Sequence, residues 1–309
     1  MENAIKIIVS GLDNAGKTSL LIALSRKYDF RKEVMNLKPT IRVEYQRTEF
    51  LGTPAIFWDM GGQEKYRKLY QKRKEIYFGE TDLVVYVIDI QDRERFESSL
   101  NYFDSIVQYF IENEMDVPII VTFHKYDPEV RTYEEINEDI MKLKEKIEET
   151  YPSFNILFQQ TSIYDVISIV QLISYGLSVF DNKFFELSLL LETHLGEFDC
   201  TSLILFDKNG IIISEFYNES IDPTIYTHLI ESIKEHLFIL KRMDEEDFVE
   251  DHNFFSIEND VISYLHQIYV NDEKFFISIL IKEDKKEPFL LKFSEFRDRL
   301  TNILESLTS

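Results

Sequence analysis

A single cysteine, Cys200, stands in 309 residues, so neither an internal disulfide nor a four-cysteine metal site can form. Glycine (9) and proline (7) are scarce, which leaves no material for a flexible Gly- or Pro-rich linker. Long apolar runs are missing too. The longest uncharged stretch, VISIVQLISYGLSVF (166–180), is too short to cross a membrane, is dotted with serine, and reads as a core helix. Positive charge is in short supply: 34 Lys and Arg face 56 Asp and Glu, a formal net charge of −22. Such a surface repels phosphate backbones and anionic lipid, which excludes nucleic acid as an expected partner. The acid is uneven, with net −15 in residues 184–309 and −7 in the rest. The opening MENAIKIIVSG enters a strand at once, leaving no room for a signal peptide, and Glu2 excludes N-myristoylation. The terminal LTS is no prenylation box. A reducing, cytoplasmic setting is expected, with any membrane visit made through a partner.

What is present is a globular composition, 44% hydrophobic and 29% charged. The pattern divides into two domains, 1–182 and 183–309. In the first, strand patterns at IKIIVS (5–10), VEYQRTEF (43–50), AIFWD (55–59), LVVYVID (83–89), PIIVTF (118–123) and NILFQQ (155–160) alternate with helix-length segments such as 93–114 and 133–150. Several strands lack polar alternation, as strands covered on both faces should. This predicts an α/β fold, a mostly parallel sheet with helices on both faces and its ligand at the strands' carboxyl ends. The second half reads as helix (184–195), a hairpin turning at Lys208-Asn209-Gly210, helix (224–243), three strands within 254–282, and a closing helix (293–307). A single antiparallel sheet packed by helices, an α+β domain, is the natural solution.

GLDNAGKT (11–18) follows a strand and precedes a helix, the context a phosphate-binding loop requires. Gly16 lets the chain wrap closely, Lys17 brings a charge to β and γ oxygens, and Thr18 offers a hydroxyl to Mg²⁺. The helix beginning there turns its positive end to the same anions. WDMGGQ (58–63) ends another strand: Asp59 is placed to hold the metal, Gly62 to donate an N–H to a γ-phosphate, and Gln63 to orient an attacking water. Thr40, in LKPTIRVEY, lies where a second metal ligand is expected, so the metal set is Thr18, Thr40 and Asp59. Gln63, Lys17 and Thr40 are the expected catalytic residues of γ-phosphate hydrolysis. No obvious arginine is provided for the transition state. HKYD (124–127) supplies a carboxylate, Asp127, for the N1–H and exocyclic amine of guanine. Lys125 can lay its stem along the base, and a neutral His124 can donate through one ring nitrogen.

GLDNAGKT, PTIRVEY, WDMGGQEKYR and DRERFESS resemble the Arf-type branch of the Ras-like small GTPases, in which Asp13 is normal where Ras-type proteins prefer Gly. Three features resemble the Rag GTPases instead: HKYD in place of [NT]KxD, TSIYD (161–165) as the loop that stacks on the base, and a long segment between Gly62 and LVVYVID. The second half is similar in element order to the roadblock domain of that family. The intact WDMGGQ resembles the branch of the family that keeps this glutamine.

That resemblance implies GTP/GDP and Mg²⁺ as ligands, held by Asp13, Asn14, Ala15, Gly16, Lys17, Thr18, Ser19, Thr40, Gly62, His124, Lys125, Asp127, Ser162 and Ile163. It implies slow turnover without a partner, activating and exchange proteins, and a homo- or heterodimer made through the roadblock domain, with residues 224–243 and the strands near 254–281 as candidate contacts. It also implies nutrient- or membrane-associated signalling. Two other readings stay open: an Arf-like trafficking GTPase, and a non-hydrolysing scaffold that keeps nucleotide for stability. His228, His236, His252 and His266 read as surface or helix residues, because no metal or nucleophile spacing joins them.

Overall fold

The computed structural model describes residues 4–26, 37–50, 53–165, 183–198, 202–207, 212–217, 254–258, 261–271 and 273–307, with 168, 169, 171, 172 and 176. Its contacts divide the chain into two units, Met1–Gly176 and Leu177–Ser309; the sequence pattern put the division after residue 182.

In the first unit, in chain order, stand β1 (Ile5–Gly11), α1 (Lys17–Arg26), β2 (Val43–Phe50), β3 (Thr53–Met60), α2 (Glu64–Lys72), α3 (Lys74–Phe78), β4 (Leu83–Asp89), α4 (Phe96–Glu112), β5 (Ile119–His124), α5 (Glu134–Thr150) and β6 (Ile156–Thr161). The strands form one sheet in the order β2-β3-β1-β4-β5-β6. Only β2 runs antiparallel to its neighbour. The strands without alternation are buried on both faces: β5 throughout, β4 except at Asp89. On one face Ile8, Val84, Tyr86 and Ile88 pack with Phe103, Ile106 and Phe110 of α4 and with Ile140, Leu143 and Ile147 of α5. These helix positions recur every three or four residues, so each helix turns a single apolar stripe to the sheet. Ile7 and Val9 are equally buried but belong to the opposite face, where α1 meets β1 and β3. Each fully buried Phe or Ile contributes roughly 1.5–3 kcal/mol.

Register then positions the site. Val9 pairs with Asp59, Gly11 with Val87, Asp89 with His124 and His124 with Thr161. The carboxyl ends of β1, β3, β4, β5 and β6 therefore lie side by side, and the loops that follow them share one edge of the sheet.

In the second unit α6 (Lys183–Phe198) precedes β7 (Ser202–Asp207), β8 (Ile212–Tyr217), β9 (Phe254–Glu258), β10 (Val261–Val270), β11 (Glu273–Lys282) and α7 (Lys286–Leu307). All pairings are antiparallel, in the order β8-β7-β11-β10-β9. Helix α7 buries Phe289, Phe293, Phe296, Leu300 and Leu304 along one stripe, while Leu291 is 84% exposed. His194 of α6 stacks on Phe296 with ring centroids 3.8 Å apart, and Lys183 donates to the carbonyl of Ser306. The expected turn at 208–210 and helix at 224–243 lie outside the described residues, as do His228, His236 and His252. His266 corrects the reading made of it. It sits on β10, half-buried, edge-on to Phe293 at 4.9 Å, because alternation on that strand turns it toward α7.

Candidate functional site

A cleft of about 510 Å³ opens at the shared carboxyl edge of the first sheet. Its floor is the loop from Gly11 to Lys17. Lys17 is 5% exposed, and its ammonium donates to the carbonyls of Leu12 at 2.6 Å and Gly11 at 3.1 Å. Burial lowers its pKa to about 8, against the nearby charges of Asp59 and Asp13, so it stays a cation at neutral pH. Two glycines are required by close approach. Gly16 has φ +95°, and a Cβ there would lie 2.4 Å from the ring of His124. A Cβ on Gly62 would lie 2.3 Å from the backbone of Asp13. The loop is thus held between DMGGQ on one side and HKYD on the other.

At one end three oxygens converge. Thr18 Oγ1 donates to Asp59 Oδ2 at 2.5 Å and lies 2.8 Å from Thr40 Oγ1. Asp59 is fully buried, and its second oxygen, Oδ1, has no hydrogen-bond partner. Burial raises its pKa, opposed by the Thr18 hydrogen bond and the charge of Lys17. A buried carboxylate with an unused oxygen beside two hydroxyls suits a small hard cation such as Mg²⁺.

The two loops that flank this end are tied through one carbonyl. Arg42, at φ +60°, accepts from the Gly61 N–H and from the Tyr70 hydroxyl, both at 2.6 Å. Gln63 precedes α2, its carbonyl accepting from the Tyr66 and Arg67 N–H groups, and the residue lines the cleft. Two arginines stand nearby, both already engaged. Arg67 donates to the Gly62 carbonyl at 2.9 Å, and Arg95 reaches Asp13 Oδ1 at 2.5 Å and the Asp13 carbonyl at 3.1 Å. Burial of Asp13 is outweighed by that Arg95 bond and charge, leaving its carboxyl below the usual range.

At the other end His124 is 1% exposed, and its Nδ1 lies 2.9 Å from Thr161 Oγ1. Burial, with Lys125 beside it, drives its pKa down to about 3, so the ring is neutral. Lys125 takes a left-handed φ of +62° and pairs with Asp89 at 2.6 Å. Both Asp127 oxygens are aimed by neighbours: Ser162 donates to Oδ1 at 2.5 Å and Gln91 to Oδ2 at 3.1 Å. Gln91 also holds the Lys125 carbonyl at 2.7 Å. One end of the cleft therefore offers a cation and a metal cradle, the other a fixed carboxylate and an imidazole.

The family model described as Arf, the ADP-ribosylation factor family, matches residues 1–171. The chain belongs to that family. A curated relative, the Ras-related GTP-binding protein A of Dictyostelium discoideum, is 27% identical over 233 residues, covering 69% of this chain and 77% of its own. A solved structure, the Arl6 BBS3 small GTPase from Trypanosoma brucei with bound nucleotide analogue GppNp, is similar over 57% of this chain and 97% of its own, at 17% identity and a TM-score of 0.46. The family match and this relative agree with the resemblance drawn from the motifs: the chain is a member of the Arf family and is similar to a Ras-related GTP-binding protein.

Of the family residues named from the motifs, Asp13, Asn14, Gly16, Lys17, Thr18, Ser19, Thr40, Gly62, Gln63, His124, Lys125, Asp127 and Ile163 line the cleft. Three do not. Ala15 turns into the packing beneath the loop, near Ile88 and Phe96. Asp59 stands behind Thr18 and Thr40, and Ser162 acts behind Asp127. Tyr164 and residues Leu37, Lys38 and Pro39 on the rim lay within TSIYD and LKPTIRVEY but were given no role of their own, and Asp89 and Gln91 behind HKYD were missed. Arg95 was in view within DRERFESS, but nothing local ties it to Asp13, 82 residues earlier.

Proposed function

We propose that the chain is a guanine-nucleotide switch: it binds GTP or GDP with Mg²⁺, hydrolyses GTP slowly, and uses residues 183–309 as a roadblock-like dimerisation domain. The observation that carries this is the single cleft, with Lys17, Thr18, Thr40 and Gln63 at one end and Asp127 at the other. Lys17 binds the β and γ oxygens, Gly62 donates its N–H to the γ-phosphate, and Gln63 orients the attacking water in line. Thr18, Thr40 and Asp59 would hold Mg²⁺, which supplies neutralising charge to the phosphate oxygens. Slow turnover is supported by the two nearby arginines being spent on Asp13 and on the Gly62 carbonyl.

Thr40 couples nucleotide to surface. Its hydroxyl shares the Asp59–Thr18 cluster, and two residues on, the Arg42 carbonyl is tied to α2 through Tyr70. With GTP bound, Thr40 would instead hold Mg²⁺, and loss of the γ-phosphate would free Thr40 and the loop that carries it. The dimerisation reading is supported by the five-stranded antiparallel sheet and its helices, and by the likeness to a Rag-type relative. On the same analogy the setting is cytoplasmic, the signalling nutrient- or membrane-linked, the membrane reached through a partner, and activating and exchange proteins act on the switch.

Single-turnover phosphate release from GTP-loaded protein tests the core of this. Turnover on the order of 10⁻³ s⁻¹ or slower is expected in Mg²⁺, falling at least about tenfold in Gln63→Leu. Turnover indifferent to that change removes Gln63 from the mechanism. No turnover at all returns the scaffold reading.

A further inference from the structure

Behind the base end of the cleft runs a buried chain of polar groups of which only His124 lines the cleft. Thr122 Oγ1 lies 2.6 Å from Thr161 Oγ1, which lies 2.9 Å from His124 Nδ1. Thr122 is 0% exposed, Thr161 and His124 1%. The arrangement follows from register. Thr122 and His124 are two apart on β5, so they share a face, and Thr161 on β6 pairs with His124. Gly16, packed against the ring, leaves room for its other edge: a Cβ there would fall 2.7 Å from His124 Nε2.

Hydrogen counting decides the direction of the chain. Each threonine hydroxyl has one hydrogen to donate, and a neutral imidazole has one N–H and one bare nitrogen. The Thr122 hydroxyl has a single partner, Thr161. If Thr122 accepts, its own hydrogen is buried with no acceptor, the costly outcome in a dry interior. If Thr122 donates to Thr161, Thr161 must donate to Nδ1, and every hydrogen in the chain is used. The proton of the neutral ring then sits on Nε2, which faces the cleft.

We infer that Thr161, backed by Thr122, is a specificity-positioning residue: it locks His124 in the Nε2–H tautomer, so that the imidazole presents a donor to N7 of the purine. An acceptor atom such as N7 needs that donor, whereas the other tautomer would set two lone pairs against each other. The neutrality that this requires is secured by burial, which holds the His124 pKa at about 3. The inference rests on the guanine-site reading above and adds to it how a histidine serves there.

Two readouts test it in the full chain. With ¹⁵N-labelled histidine, the nitrogen shifts of His124, assigned by their loss in His124→Asn, report the tautomer directly. The expected result is protonated Nε2 and bare Nδ1; protonated Nδ1 overturns the inference. The second readout is affinity for GDP and for 7-deaza-GDP, which lacks the N7 acceptor. Wild type is expected to prefer GDP by about tenfold, the scale of one hydrogen bond. Thr161→Val should bring that preference to within about twofold while 7-deaza-GDP binding holds, and Thr161→Ser, which keeps the hydroxyl, should restore it. Should Thr161→Val not fold, Thr122→Val leaves Thr161 in place, and a mixture of tautomers is expected. A GDP/7-deaza-GDP ratio unchanged in these variants overturns the proposal. A wild-type chain that does not prefer GDP to ADP instead overturns the base-site reading, so the two failures are distinct.

Discussion

The two units use polar residues in different ways. In the first, a hydrophobic sheet carries buried polar side chains at the ends of its strands: Lys17, Thr40, Asp59, His124, Thr161 and Ser162 are all within 9% exposure. Each is held by a partner on another element, so binding groups are fixed before a ligand arrives. The second unit has buried polar groups too, among them His194, which lines a smaller cleft of about 140 Å³ with Thr193, Glu197, Lys292 and Arg299. His194 stacks on Phe296 and meets Phe289 edge-on. The difference lies in where the polar groups gather: the first cleft, about 510 Å³, collects loops from several strand ends, and the second, about 140 Å³, lies between α6 and α7.

The sharpest way to break that comparison is to damage the second core and watch the first site. Phe293, 6% exposed, packs against Tyr264, Phe289 and Phe296. Phe293→Ala should cost the second unit about 3–5 kcal/mol in urea unfolding, with GDP affinity changed by less than about twofold. A large fall in affinity would show that the site depends on the second unit.

The converse change is Asp127→Asn, which removes the acceptor for two guanine donors while the surrounding backbone stays. Affinity for GDP should fall by about a hundredfold or more, and xanthosine diphosphate should be gained, since its C2 carbonyl suits an amide. Calorimetric titration with both nucleotides checks this, and unfolding of the second unit should not move.

The smallest effect compares one buried histidine from each unit. Burial depresses the pKa of His124 to about 3 and of His194 to about 4, from 6.5. Below pH 6.5 the unfolded chain takes up protons that the folded imidazoles refuse. The stability these groups contribute is complete above that pH and is lost as it falls toward 4 for His194 and 3 for His124. Each should drain its own unit by about 1.4 kcal/mol per pH unit across this window. His124→Asn should flatten the slope in the first unit alone, measured as urea midpoints between pH 7 and 5. Equal slopes in the variant and the wild type would mean that His124 titrates normally in the fold.

Much of the first unit was legible, and for local reasons. β4 spans the residues its apolar pattern marked, 83–89, because a strand buried on both faces has few other ways to be written; β2 also spans the expected 43–50, although it is an edge strand with Tyr45 59% exposed. Boundaries slipped by one or two residues at β3 and β5, where the neighbours' hydrogen bonds extend the ladder. Gln91 and Asp89 were not legible. A glutamine after a strand carries no signal of its own, and its role exists only because β4 lies beside β5. In the second unit the strands were readable from period, but the closing helix begins at Lys286 and not at the expected 293, and His266 was misassigned because its neighbours' alternation was passed over.

The amino-acid sequence by itself determined the phosphate loop, the DMGGQ and HKYD motifs and the α/β-then-α+β order. Those features are written within eight or fewer consecutive residues, or in a repeating period. The tertiary structure alone decided which distant groups meet: Asp59 with Thr18 and Thr40, Arg95 with Asp13, Thr161 with His124. Those meetings are set by parallel strand register, which brings together residues 19 to 82 positions apart, and no local pattern records a register.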